Sequence, residues 1–347
     1  MTERSWLVLA DGYLTARNAK TAHGVIRYSR DRIAAVLDRA NEGRDISDVL
    51  PELQRTAPIV GSVGAALEHD PTSLLLGVAT PGGWIPDEWR AWIFEAIENG
   101  LEIVNGLHTF LNDDLELVAT AEKHGVRLWD VRQPPEHIPL FTGQSLEIPQ
   151  RIALTVGSDC AVGKKTTAIE VAAAGNERGV QTEFIATGQT GVLIAGKGMA
   201  IDRVVSDFVS GAAEMLVCDA DPAARVVIVE GQGSLWHPAY AGVTLGLLHG
   251  SAPEVLILCH EAGRDAIEEP PYSALPPIEE MIATYEEMTA PVRRARVACI
   301  SLNCKRLDPD GARAAVADLE DRVGLPVGNV WAGDAPKLWD AVAAALG

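Results

Sequence analysis

One stretch constrains this chain more than any other. A strand-like run, Ile152–Val156, leads into Gly157-Ser-Asp-Cys-Ala-Val-Gly-Lys-Lys-Thr-Thr167. A helix-like segment over 164–178 follows and is stopped by Gly179. Strand, glycine-bounded turn and helix in that order predict a phosphate-binding loop. Gly157 and Gly163 let the backbone curl until successive N–H groups face one anion, and the helix N-terminus adds positive partial charge. Lys164 is placed to reach a terminal phosphate, and Thr166 or Thr167 to ligate Mg²⁺ or cap the helix. The predicted anion site is therefore Gly157, Ser158, Asp159, Cys160, Ala161, Val162, Gly163, Lys164, Lys165, Thr166 and Thr167. Two positions depart from GxxxxGK[ST]. Ser158 stands where that pattern has glycine, and Lys165 stands where it has a hydroxyl; the longer spacing GxxxxxGK fits instead.

The rest of the chain reads as α/β. In the first half, strand candidates at 6–10, 33–37, 73–79, 103–104 and 126–129 alternate with helix candidates at 19–28, 87–98 and 113–124. In the second half, strands at 152–156, 182–186, 226–229, 255–259 and 297–302 alternate with helices at 164–178, 201–214, 278–288, 311–323 and 336–346. Apolar strands alternating with helices predict doubly wound, mostly parallel sheets covered on both faces. The segment 133–150 carries four prolines and little periodicity, and reads as a linker. Domains are expected over 1–146 and 147–347.

Composition narrows the partners. Acids outnumber bases 48 to 29, a net charge of −19, which excludes the basic footprint of general nucleic-acid binding and docking on anionic membranes. It leaves room for a phosphate held by backbone N–H groups and one lysine. Apolar runs are strand-sized, and MTERSWLVLADGYL lacks a signal-peptide core, so the expected setting is the cytoplasm. Cys160, Cys218, Cys259, Cys299 and Cys304 show neither disulfide pairing nor zinc spacing, and no resident metal is expected. The partner is a small molecule, with homo-oligomerisation left open.

Further candidates lie at strand ends, where open α/β sheets bind their ligands. Glu230, ending Arg225-Val-Val-Ile-Val-Glu-Gly-Gln-Gly233, sits where a Mg²⁺-holding acid or a general base belongs. Asp202, Asp207 and His237 are alternative acids or bases, the two aspartates on one expected helix. Arg264 and His260, in His260-Glu-Ala-Gly-Arg264, suit a carboxylate or phosphate, and Arg264 is the first choice for the acceptor. Gln189, in Thr187-Gly-Gln-Thr-Gly191, offers a further polar contact. Asn303 could read a base or an amide. In the first half, Arg17, Lys20 and Thr21 stand at a helix entrance, Asp38 ends the second strand, and Thr80–Trp84 and Gly106–His108 form strand-end loops. GxGxxG is absent.

In combination, DGYLTARNAKTAHGVIRYS, GVATPGGWIP, GLHTFLNDD, GSDCAVGKKTTA, TGQTGVLIAGKG, VEGQGSLWHP and HEAGR resemble the D-glutamate N-acetyltransferase (DgcN-type) family over nearly the whole chain. The loop and VEGQG are also similar to dethiobiotin synthetase. The first resemblance implies a Rossmann-like N-terminal domain, a P-loop NTPase-like C-terminal domain, and transfer of acetyl from acetyl-CoA to the amine of D-glutamate. The second implies an ATP- and Mg²⁺-dependent ligase or kinase acting on a small carboxylate, with Thr166 and Glu230 holding the metal. Lys165 favours the transferase and Glu230 the ligase. A non-catalytic nucleotide sensor is a third reading, disfavoured by the many polar strand-end loops.

Overall fold

The computed structural model describes residues 4–80 and 84–347, and of Arg17 only the backbone. The chain divides into two compact units, Met1–Pro134 with Gln189–Ala200, and Pro135–Gly188 with Ile201–Gly347. In the first unit, β1 (Ser5–Leu9), β2 (Arg32–Leu37), β3 (Ile59–Val60), β4 (Ser73–Leu76), β5 (Glu102–Asn105) and β6 (Leu128–Asp130) form a parallel sheet. Its order is β3-β2-β1-β4-β5-β6. The order reverses between β1 and β4, which is the Rossmann arrangement. Asp38 ends β2, but its carboxylate accepts the Gly12 N–H at 2.9 Å and the Asn41 amide at 2.6 Å, so it braces its own loop. The helix Gln189–Ala195 belongs to this unit and lies against the helix Lys20–Tyr28, with Thr21 and Thr190 hydroxyls 2.9 Å apart. The part of the Thr80–Trp84 loop at 81–83 lies outside the described residues.

In the second unit, β7 (Arg151–Gly157), β8 (Thr182–Ile185), β9 (Val226–Val229), β10 (Val255–Glu261), β11 (Arg296–Asn303) and β12 (Val327–Gly328) form a second parallel sheet. Its order is β12-β11-β10-β7-β9-β8. β7 is the switch point: β10 to β12 lie on one side of it, β9 and β8 on the other. The glycine-rich loop leaves its carboxyl end, where such sheets bind ligands. The helix Lys164–Glu177 follows, packing Ala168, Val171 and Ala172 against Ile228, Ile257 and Trp339 in the core.

Two segments differ from the sequence expectation. Residues 201–214 do not form one helix. Ile201 donates its N–H to the Thr187 carbonyl, and the chain then makes two 3-10 turns, Ile201–Arg203 and Ser206–Phe208, before the helix Val209–Cys218. A helix unexpected from the sequence covers Ala241–Ser251. No described helix is long and apolar enough to cross a membrane.

Candidate functional site

The loop from β7 is held on all sides by buried groups. Gly157 is confined by Val162, Lys164 and Asp159, which a Cβ would meet at 2.9–3.1 Å, and its carbonyl accepts the Tyr285 hydroxyl at 2.7 Å. Ser158 continues the sheet by donating its N–H to Cys259, its carbonyl accepts the Ser234 hydroxyl, and its own hydroxyl meets His260 Nδ1 at 2.8 Å. Ala161 (φ 57°) and Gly163 (φ 112°) then turn the backbone through the left-handed region into the helix. Lys164 is buried, its ammonium donates to the Asp159 carbonyl at 2.7 Å, and desolvation lowers its pKa. Thr167 turns away from the loop mouth to the Ser301 hydroxyl at 2.7 Å. It is therefore placed to fasten the helix to β11 rather than to reach a metal.

Arg264 and His260 are set differently from the expected substrate ligands. The Arg264 side chain is 5% exposed, and its guanidinium is taken up by Asp159 at 2.7 Å, the Cys160 carbonyl at 3.1 Å, Glu261, and Glu268 at 3.3 Å. A cation surrounded by three carboxylates is not available to a fourth, so Arg264 braces the loop from below. Asp159 also accepts the Cys160 and Glu268 N–H groups at 2.6 and 2.9 Å, which leaves its carboxylate structural as well. Burial, with the nearby Arg264 charge, holds His260 down at about 4, so this ring is neutral at physiological pH and buttresses Ser158.

On the β9 side of the loop stands Glu230. One carboxylate oxygen accepts the N–H groups of Thr187 and Gly188 at 3.0 and 3.2 Å, and the Thr187 hydroxyl donates to the Glu230 carbonyl at 2.6 Å. Desolvation pushes the Glu230 carboxyl up to about 7, and the Lys165 ammonium works against that rise. Lys165 thus lies in the electrostatic reach of Glu230, where a hydroxyl-held metal would be expected in an ATP-dependent loop. Gly231, next in line, has no room for a side chain: a Cβ would lie 1.7 Å from the Thr155 carbonyl.

A third group gathers at the loop mouth. Asp159, Cys160 and His237 bring one carboxylate oxygen, the sulfur and one ring nitrogen within 4.8 Å of one another. His237 is buried against Tyr240, with ring centroids 4.4 Å apart. The Ala239 N–H donates to Nδ1 at 3.3 Å, which assigns the proton of the neutral ring to Nε2. Among the described residues Nε2 is buried without a hydrogen-bond partner, 3.9 Å from a Glu269 oxygen. The ring so presents a donor rather than the lone pair a metal requires. Burial, then the charges of Glu269, Cys160 and Asp202, raise the Tyr240 phenol, which places Asp202 near this group. Asp207 is exposed on the separate turn Ser206–Phe208.

Lys20 and Gln189 both belong to the first unit: Lys20 is exposed at the start of its helix, and Gln189 packs its side chain by Gly106. Asn303 is buried at the end of β11, where its side-chain oxygen accepts the Lys305 N–H at 3.1 Å. Three residues of the loop environment escape sequence reasoning. Tyr285 reaches the loop from the helix Ile278–Thr289, with no local pattern to mark it, and Ser234 lies inside VEGQGSLWHP without being singled out there. Trp331 follows β12, is 39% exposed, and lies against Gly163 so closely that a Cβ there would sit 2.3 Å from its ring.

A doubly wound second unit with a glycine-rich anion loop, joined to a Rossmann-like first unit, defines the class of protein. Residues 139–339 match the family described as Domain of unknown function (DUF1611_C) P-loop domain, and residues 39–134 match its Rossmann-like partner, DUF1611_N. The chain belongs to this family. It is 39% identical to a D-glutamate N-acetyltransferase of Tritonibacter scottomollicae, over 78% of this chain and 81% of the relative. A D-glutamate N-acetyltransferase of a Pseudoalteromonas species is 40% identical, over 76% and 79%. The crystal structure of a DUF1611 family protein from Anabaena variabilis superposes with a TM-score of 0.93 at 37% identity, covering 99% of this chain and all of that one. By this membership the chain is an enzyme of the acyltransferase class.

Proposed function

We propose that this chain is a cytoplasmic N-acetyltransferase that moves acetyl from acetyl-CoA to the amine of an acidic D-amino acid, D-glutamate. The observation that carries the choice of donor is Lys165. An ammonium in reach of Glu230 supplies positive charge where a nucleotide hydrolase would fix Mg²⁺, so the phosphates held here are anchors and not reactants. Lys164, Lys165 and the N–H groups of residues 161–166 bind the donor's phosphates. Trp331, on the β12 side of the loop, takes the adenine ring. The flexible pantetheine arm folds back to the β9 side, where Glu230 waits. Attack on a thioester requires a neutral amine, and a carboxyl titrating near 7 is matched to remove its proton. The names of the curated relatives support D-glutamate as the acceptor.

The test is an acceptor panel. Purified protein with acetyl-CoA and each D- and L-amino acid should release CoA in proportion to acetylated product with D-glutamate, and little with L-glutamate. If no amino acid releases CoA, while ATP and Mg²⁺ give carboxylate-dependent ADP, the ligase reading replaces this one and Glu230 becomes a metal ligand.

A further inference from the structure

We propose that Cys160 carries the acetyl group as a covalent thioester between donor and acceptor. The inference rests on the acetyl-CoA reading above. Cys160 stands in the anion loop with its backbone pinned on both sides, its N–H on Asp159 at 2.6 Å and its carbonyl on Arg264 at 3.1 Å. Its side chain is partly exposed, four residues before a helix N-terminus, and close enough to Lys164 for the two to interact electrostatically. A partly exposed sulfur beside an ammonium is placed to act as a nucleophile, with the Asp159 carboxylate and His237 in the same cluster. The other cysteines lack this setting: burial raises the thiols of Cys218, Cys259, Cys299 and Cys304.

The second observation is independent of the cysteine. The His237 side chain is 3% exposed, and its Nε2 has no hydrogen-bond partner among the described residues. A buried donor left unpaired is unfavourable unless something fills the gap. With the ring in the cluster that holds the Cys160 sulfur within 4.8 Å, a ligand oxygen bonded to carbon at that sulfur would fill it.

The chemistry balances without a further reactant. The Cys160 thiolate attacks the thioester carbonyl, the new carbon–sulfur bond forms, the bond to coenzyme A breaks, and the departing thiolate takes a proton from solvent. The neutral amine then attacks the S-acetyl carbon. A carbon–nitrogen bond forms, the bond to Cys160 breaks to restore its thiolate, and the nitrogen's proton passes to Glu230. In both halves the carbonyl oxygen becomes negative and meets the Nε2–H of His237.

The experiment uses the full chain with acetyl-CoA and no acceptor, quenched in acid and weighed intact. The expected result is one acetyl group per chain, mapped to the Cys160 peptide, released on adding D-glutamate, with double-reciprocal plots parallel for the two substrates. Cys160→Ala should lose the label and at least about 10³-fold of the transfer rate, while still binding CoA. A wild-type chain that acetylates D-glutamate without ever carrying the label, together with an active Cys160→Ala, overturns the covalent step and leaves the transferase standing. A wild-type chain that takes no label and releases no CoA from acetyl-CoA with any amino acid overturns both. If Cys160→Ala fails to bind CoA or to fold, the wild-type label alone decides.

Discussion

Glu230 is held near neutrality by two opposed effects, burial that raises its carboxyl to about 7 and the Lys165 charge that restrains the rise. Each can be tested by substitution. As a base Glu230 must be ionised, so the transfer rate should climb through about pH 7, and Glu230→Gln should flatten that limb with a large loss of rate. Lys165→Met removes the restraint and should move the limb up by about one pH unit, read from kcat/KM against pH. Stability runs the other way. The folded carboxyl binds its proton between about 4.5 and 7 where the unfolded one has lost it, so this group's contribution falls as pH rises through that window. Thermal unfolding at pH 8 should therefore find Glu230→Gln more stable than the parent, by on the order of 3 kcal/mol. Glu230 and the loop lysines are legible in the sequence because each stands at a fixed offset from a strand or a glycine. The setting of Arg264 is not legible. Its three carboxylate partners include Asp159, more than a hundred residues away, and only the packing of β10 beside β7 brings them together.

At the scale of elements, the helix Ala241–Ser251 shows how glycine misleads. Gly242, Gly246 and Gly250 fall four residues apart and read as breakers, yet two of them are contact points. A Cβ on Gly246 would lie 2.4 Å from Val209 Cγ1, and one on Gly250 would lie 2.0 Å from the Ser210 carbonyl of the helix Val209–Cys218. Close approach of two backbones is what these residues permit. Gly250→Ala should cost about 1–3 kcal/mol by overpacking. Gly242→Ala, with nothing within 4 Å, should be neutral or gain up to about 1 kcal/mol of helix propensity. Denaturant unfolding of the two single variants separates these outcomes. Trp331 belongs to the same scale, since its turn is fixed by Asn329 and Asp334, with N–H donations at 3.1 and 2.9 Å. Trp331→Ala should weaken CoA binding about tenfold and Trp331→Phe should largely restore it, measured by calorimetry. The two-residue strands β3 and β12 were beyond sequence reasoning, because neither is long enough to show a period.

At the scale of the molecule, two parallel sheets are what the alternation of apolar runs predicts, each with one short strand more than the five expected, and the glycine-rich loop falls at the switch point of the second. The excursion of Gln189–Ala200 into the first unit was not legible, since a seven-residue helix rich in small residues carries no mark of the helix Lys20–Tyr28 it packs on. The net charge of −19 is that of the whole chain, while the loop concentrates Lys164 and Lys165 at one strand end. That contrast is the physical basis of the central claim, an anion loop in which a lysine replaces the metal. The most direct measurement is the steady-state rate of CoA release from acetyl-CoA with D-glutamate, in EDTA and then in added Mg²⁺, with ADP followed in parallel when ATP is present. The account predicts the same rate in EDTA as in Mg²⁺ and no ADP. Activity abolished by EDTA, restored by Mg²⁺ and accompanied by substrate-dependent ADP would contradict it.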